Sequence, residues 1–258
     1  MWFKSLRKIK TAEEISKEID EFAEKRGSSK EINELKNSLK IDLFYDKLFL
    51  ASYEKDKNKE KQLLKQAKEI ADKVPELKGW PEDKKKFWSI EAYRWNKTIP
   101  DKVRSGISSE LNNLIKTNNN LSLGSGSYPY LENSVLIDFS EEMLKEAKNA
   151  KKKVLWDINK SLPFEKEEFD SVTAIFIINY LSDLNKTLKE IKRVLKKQGN
   201  LIIINSKNQV EDFYHSQEEK TWDIKELKDL LISLNFKVKA EIKIIENKEL
   251  IFVEAVKQ

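Results

Sequence analysis

The residues able to do chemistry in this chain stand at the ends of its apolar runs. Gly124 and Gly126, separated by Ser125, close the run LSL in a chain with only 6 glycines among 258 residues. Asp138 closes SVLI, 14 residues after Gly124, and Asp157 follows VLW. Asn179 and Tyr180 follow SVTAIFII. Glycine has no Cβ, so a loop such as Gly124-Ser125-Gly126 lets a ligand approach the backbone closely. The single histidine, His215 in NQVEDFYHSQ, is the one side chain whose ordinary pKa lies near neutrality. Standing alone in a polar stretch, it reads as a loop histidine. One histidine rules out a multi-histidine metal site, and zero cysteines rule out disulfides, thiolate metal sites and a cysteine nucleophile.

The elements that must position these residues alternate. Strand-like segments LSL, SVLIDF, KKVLW, SVTAIFII and NLIIIN are separated by helical patterns such as EEMLKEAKNA and LNKTLKEIKRVLKKQ. That alternation predicts a mainly parallel sheet with helices on both faces. In such sheets the ligand crevice lies at the carboxyl ends of the strands. The chain closes with a helix over TWDIKELKDLLISLNF, then KVKAEIKIIE, a turn at Asn247-Lys248, and ELIFVEAV.

The front of the chain is helical throughout. Thr11-Ala12-Glu13-Glu14 and Ser28-Ser29-Lys30-Glu31 fit the capping-box spacing. Ile15, Ile19 and Phe22 recur behind the first, Ile32, Leu35 and Leu39 behind the second, with IDLFYDKLFL after them. A third helix carries Leu63, Leu64, Ala67, Ile70, Ala71 and Val74 before Pro75 ends it. The turn KGWP marks a boundary, giving an α-helical extension or cap over residues 1–80 and a second domain over 81–258. Two further helices, DKKKFWSIEAYRWNKTIP and DKVRSGISSELNNLIK, lead into the first strand.

Composition bounds the setting. Apolar residues make up 39% and charged residues 36%, the balance of a folded chain with a heavily solvated surface. No apolar run is long enough to span a bilayer, and the start shows no apolar signal-peptide core, so a cytoplasmic protein without a membrane partner is expected. Residues 1–120 hold 27 Lys+Arg against 21 Asp+Glu, and the remainder 22 against 23. The front lysines are interleaved with acids, which suits a solvated helical surface, although a mildly basic half also favours a nucleic-acid partner.

Two familiar uses of the glycine loop fail here. A dinucleotide fold wants a third glycine three residues after the second and an acid about 20 residues on; Pro129 holds the first position and Asp138 comes too early. No Gly-Lys-Ser/Thr follows for a Walker-type loop. By contrast, LSLGSGS, VLIDFSEEMLKEAK, WDINKSLPFEKEEFDSV and LKEIKRVLKKQGNLIII, in that order, resemble the class I S-adenosylmethionine-dependent methyltransferases. The likeness is nearest to the ubiquinone/menaquinone-type and related small enzymes and covers roughly residues 100–258.

The resemblance implies an α/β fold, a Rossmann-like seven-stranded sheet of order 3-2-1-4-5-7-6 with the last strand antiparallel. Its cofactor is S-adenosylmethionine, with S-adenosylhomocysteine as product. By the same resemblance, Gly124, Ser125 and Gly126 approach the amino-acid end of the cofactor. Asp138 accepts both ribose hydroxyls, and Asp157 accepts from the adenine amine with the Ile158 amide on the ring. Phe176 and Ile178 pack the apolar surface, with Phe139 and Met143 as further contacts. Tyr93, Arg94 and Trp95 are similar to the aromatic lid segment of related enzymes, against a rival in which Phe87, Trp88 and Trp95 pack as core. Asn179 and Tyr180 sit where the family places acceptor-facing residues and are the candidate catalytic pair. The family often has an acid where Ser122 stands, a third glycine where Ser127 stands, and a helix where this chain has the short SYPYL. Methyl transfer from a sulfonium needs alignment above all, and a base only if the acceptor must lose a proton. The expected function is methyl transfer to a small molecule or RNA; the alternative is a catalytically silent cofactor-binding partner protein.

Overall fold

The computed structural model describes residues 12–26, 30–207 and 220–258. Thr11 and Ser28 of the expected capping boxes, and His215, lie outside the described residues. The chain divides into two compact units, one ending at Phe87 and one running from Trp88 to Gln258.

The first unit holds helices α1 (Ala12–Arg26), α2 (Lys30–Tyr53) and α3 (Lys57–Ala71), followed by a short 3-10 turn at Pro75–Leu77. Asp56 starts α3 by accepting from the Asn58 and Lys59 amides, and the helix buries Leu64, Ala67 and Ala71. Phe44 of α2 meets Trp80 edge to face at 5.0 Å.

The second unit takes in most of α4 (Lys84–Thr98), then α5 (Asp101–Leu114), β1 (Asn120–Leu123), β2 (Val135–Asp138), α6 (Glu141–Glu146) and β3 (Lys152–Leu155). It continues through β4 (Phe169–Ile175), α7 (Leu184–Val194), β5 (Leu195–Ser206), α8 (Ile224–Ser233), β6 (Phe236–Ile245) and β7 (Lys248–Lys257). The seven strands lie in the order β3-β2-β1-β4-β5-β7-β6, with β7 antiparallel to both neighbours and the remaining pairs parallel. This is the expected order.

Both faces of the sheet are covered, which is why the central strands read as nearly unbroken apolar runs. On one face Leu121, Leu123, Val172, Ala174, Leu201 and Ile203 pack with Leu188 and Ile191 of α7 and Leu227 and Leu231 of α8. On the other, Ile175, Ile202, Ile204, Leu250 and Phe252 pack with Val103, Ile107 and Leu111 of α5. β1 has β2 on one side and β4 on the other, so the chain reverses its direction of winding there, and the ends of these strands frame a crevice.

Two helices are shorter than their sequence patterns. The pattern LNKTLKEIKRVLKKQ stops at Val194, because Leu195 pairs with Phe169 and the chain turns at Gln198 (φ 61) into the long run of β5. EEMLKEAKNA stops at Glu146: Ala147 leaves helical geometry (ψ 128), Asn149 turns at φ 56, and the Lys151 amide bonds the Ser134 carbonyl to begin β3. From Gly124 to Ser134 the chain makes only turns, where the resembled family has a helix.

Candidate functional site

Gly124 and Gly126 both adopt the left-handed region, at φ 55 and φ 58, which a side-chain-bearing residue enters only with strain. The Ser125 amide donates to the Ile137 carbonyl at 3.1 Å, drawing the loop onto the end of β2. A Cβ on Gly124 would stand 2.4 Å from Cγ1 of Ile177, and one on Gly126 would stand 3.0 Å from Nε1 of Trp95. The chain's own side chains therefore press on both glycines.

Asp138 is the last residue of β2 and is buried. Its Oδ2 accepts from the Gly126 amide at 2.9 Å and its Oδ1 from the Ser140 amide at 2.9 Å. Burial raises its pKa above the ordinary aspartate value, opposed by backbone donors at Ser140, Gly126 and Phe139. Ser140 caps α6, its Oγ accepting from the Met143 amide at 3.1 Å. That capping turn points the Met143 side chain into the interior, while Phe139 stays half-buried.

The loop after β3 continues the same edge. The Trp156 amide donates to the Asp138 carbonyl at 2.9 Å. Asp157 is half-buried, and its Oδ1 accepts from both the backbone amide (3.0 Å) and the side-chain Nδ2 (3.1 Å) of Asn159. Oδ1 of Asn159 in turn accepts from the amide (3.0 Å) and hydroxyl (2.8 Å) of Ser182, in the loop after β4. The Ile158 side chain is part of the core, so only its backbone faces outward chemistry.

After β4 the chain turns sharply. Phe176 has φ 56, a strained setting for a bulky residue, and its amide donates to the Ile204 carbonyl at 2.8 Å. This turn brings Ile177 against Gly124. Ile178–Tyr180 then form a 3-10 turn. Asn179 is buried, with its Oδ1 accepting from Asn205 Nδ2 at 3.0 Å and its carbonyl accepting from the Lys220 amide at 3.3 Å. Tyr180 meets Trp88 edge to face at 5.1 Å, and Trp88 meets Trp95 in the same manner at 5.3 Å. An aromatic row thus runs from Tyr180 to the indole over Gly126.

Gly124, Ser125, Gly126, Asp138 and Trp95 are brought into one connected group, with Asp157, Phe176, Asn179 and Tyr180 in adjoining loops at the same edge. Met143 and Ile158 belong there by backbone position rather than by side chain. Of Tyr93 and Arg94 the structure describes only their place on α4. Sequence reasoning missed Ile177, Asn159 and Ser182. For Asn159 a signal existed: an acid followed two residues later by Asn after a strand is an Asx-turn pattern. Ile177 and Ser182 carry no local signal.

No helix among the described residues is long and apolar enough to cross a membrane.

Residues 121–203 match the family model described as "Methyltransferase domain". Over 91 residues the chain is 38% identical to the ubiquinone/menaquinone biosynthesis C-methyltransferase UbiE of Rickettsia felis, covering 31% of this chain and 35% of that protein. It is 29% identical over 83 residues to the uncharacterized methyltransferase YcgJ of Bacillus subtilis, covering 30% of this chain and 33% of that protein. The chain thus spans about a third of the length of these curated relatives. Among solved structures, a SAM-dependent methyltransferase from Aquifex aeolicus superposes with a TM-score of 0.54 at 19% identity, over 66% of this chain and 98% of that one. A chain of the complex between the Haloferax volcanii Trm112 methyltransferase activator and a putative methyltransferase gives 0.54 at 16% identity, over 66% and 96%. These two likenesses concern the fold.

Proposed function

We propose that this chain, whose residues 121–203 match a methyltransferase-domain model, is a class I S-adenosylmethionine-dependent methyltransferase that transfers a methyl group from S-adenosylmethionine to a small-molecule or RNA acceptor. The observation that carries this reading is the Asp138 carboxylate, buried at the end of β2 and bonded to the Gly126 amide of the neighbouring strand-end loop. A carboxylate offers about four lone-pair sites, and with backbone donors at Gly126, Ser140 and Phe139 it keeps acceptor capacity for a ribose hydroxyl. The donor set therefore fits the ribose of the cofactor, and Asp157 with the Ile158 amide fits its adenine.

When bound, S-adenosylmethionine supplies a methyl group already activated on a sulfonium. The chain's task is to hold and align. Asp138 fixes the ribose and Asp157 the adenine. Phe176 closes the apolar side, with Phe139 beside Asp138. Trp95, with its indole over Gly126, would cover the amino-acid end at the glycine loop. Asn179, held by Asn205, sets the loop after β4, and Tyr180 faces the acceptor. Alignment of this kind can supply about 7–11 kcal/mol of a barrier, so no dedicated base is required unless the acceptor must be deprotonated.

One observation favours a second reading, a catalytically silent cofactor-binding partner protein. The Asn179 side chain is committed to Asn205 and the Tyr180 ring to Trp88, leaving the candidate catalytic pair in structural contacts. Calorimetric titration followed by methyl-label transfer separates the two. S-adenosylhomocysteine should bind, and Asp138→Ala should weaken binding about tenfold to a hundredfold, the worth of hydrogen bonds to a charged acceptor. No binding by the unmodified chain would end both readings. Binding without label transfer into any RNA, protein or small-molecule fraction would favour the second.

A further inference from the structure

We propose that Asn159 is a positioning residue: it aims the Asp157 carboxylate at the exocyclic amine of a bound adenine and ties that pocket to the acceptor-side loop after β4. The proposal rests on the cofactor reading above. Its basis is the orientation of one carboxamide. Oδ1 of Asn159 receives two donors from Ser182, the amide at 3.0 Å and the hydroxyl at 2.8 Å. Its Nδ2 therefore faces Asp157 Oδ1, at 3.1 Å. The flipped carboxamide would set an NH2 group against the Ser182 backbone N–H and an oxygen against a carboxylate oxygen, so the network admits one orientation.

The consequence falls on Asp157. Its Oδ1 carries two donors, the backbone N–H and the side-chain N–H of Asn159, which closes an Asx turn and fixes the plane of the carboxylate. Oδ2 takes no hydrogen bond from the described residues and is the oxygen left to accept from a ligand. Adenine presents a donor at its exocyclic position, whereas hypoxanthine presents an acceptor oxygen that a carboxylate repels. A rigidly aimed Asp157 thus distinguishes the two bases, and a loosely held one does so poorly.

The other end of the link lies beside the acceptor. Ser182 precedes Asp183, whose Oδ1 caps α7 through the Lys186 amide at 2.9 Å. It follows the segment that carries Ile177, Asn179 and Tyr180. Asn159 therefore spans from the end of β3 to the loop that follows β4, across 23 residues of sequence. Filling the adenine pocket stiffens Asp157, and through Asn159 and Ser182 it stiffens residues 177–183.

The test compares S-adenosylhomocysteine with S-inosylhomocysteine, titrated into the full chain, Asn159→Ala and Ser182→Ala. The unmodified chain should prefer the adenosyl compound by about tenfold or more, the effect expected of a bond to a charged acceptor. In Asn159→Ala the preference should fall to about threefold or less, with the inosyl affinity held within about threefold. Ser182→Ala keeps the backbone donor and should fall between. Equal loss of both ligands in Asn159→Ala, or a preference left intact, would overturn the role of Asn159 while leaving the cofactor reading in place. Failure of the unmodified chain to bind either compound would instead remove the cofactor reading and the proposal with it. If Asn159→Ala does not melt cooperatively, an unchanged preference in Ser182→Ala overturns the proposal. Amide exchange gives the coupling directly: S-adenosylhomocysteine should slow exchange over residues 177–183 in the unmodified chain, less in Ser182→Ala and not in Asn159→Ala, and slowing fully retained in Asn159→Ala overturns the link.

Discussion

Asp138 is an acid held in the interior by backbone donors, and its protonation follows from that setting. Burial raises its pKa, with the Ser140, Gly126 and Phe139 amides pulling the other way. A folded-state pKa above the unfolded value means that the folded chain keeps a proton the unfolded chain releases. The stability this contributes is full below the ordinary aspartate value and is lost as pH rises through the raised one. Ribose hydroxyls donate to the charged form, so binding draws that proton off. Cofactor affinity should therefore climb with pH across the same window in which stability declines. Both slopes should flatten in Asp138→Asn, checked by melting curves and S-adenosylhomocysteine titration as functions of pH. An affinity that is flat with pH in the unmodified chain would show that Asp138 does not meet the diol. Gly124 shows a different constraint at the same scale. Its left-handed backbone and the approach of Ile177 each exclude a side chain, so this glycine is demanded by the protein's own packing before any ligand arrives.

The loop from β3 to β4 is tied to other parts of the chain at two places. Asn159 reaches Ser182 near its start, and Arg193 of α7 grips its middle. The guanidinium donates to the carbonyls of Phe164 (2.8 Å) and Leu162 (2.9 Å) and to both oxygens of Glu190, while Glu190 Oε2 accepts from the Leu162 amide at 2.8 Å. The planar fork suits this geometry and an ammonium does not. Arg193→Lys should cost about 1–3 kcal/mol in urea denaturation at neutral pH, since charge-assisted bonds are lost and two carbonyls are left short of donors. The Arg193 bond is also the main cause of the lowered Glu190 pKa. That contribution is present above the ordinary glutamate value and lost as pH falls through the lowered one, so Arg193→Lys should lose less stability toward acid than the unmodified chain. A change under about 0.5 kcal/mol at neutral pH would place Arg193 among ordinary surface residues. Elements of this kind explain what sequence could and could not reveal. Strands buried on both faces announce themselves as apolar runs, so VLID, SVTAI and LIII are legible as strands, whereas their order in the sheet comes from the family resemblance alone. The end of α7 is not, because Lys196 and Lys197 fit a solvated helix face as well as a turn. Asp138 and Asp157 are legible as strand-end acids. Ile177 on Gly124 and Trp95 on Gly126 join residues far apart in sequence, and nothing local marks either contact.

The candidate cofactor and catalytic residues, from Trp95 through Tyr180, all belong to the unit Trp88–Gln258, and none to the helical unit before it. A ligand that binds a folded unit stabilises that unit by RT ln(1 + [L]/Kd), about 2.7 kcal/mol at a hundredfold excess over Kd. For a unit of this size, each kcal/mol raises the melting temperature by about 2–4 °C. Scanning calorimetry of the full chain with S-adenosylhomocysteine at that excess should therefore raise the transition of the second unit by roughly 5–10 °C. If α1 to α3 melt independently, their transition should not move, because none of the candidate cofactor residues lies on them. If the two transitions rise together, the helices and the sheet unfold as one body, and the basic front half is coupled to the cofactor site rather than merely attached to it. Repeating the scan with Asp138→Ala supplies the control: the upward shift should shrink by the lost binding free energy while the ligand-free curve of α1 to α3 stays where it was. A shift confined to the helical unit would contradict the placement of the site, since it would put the ligand where none of the residues argued here reside.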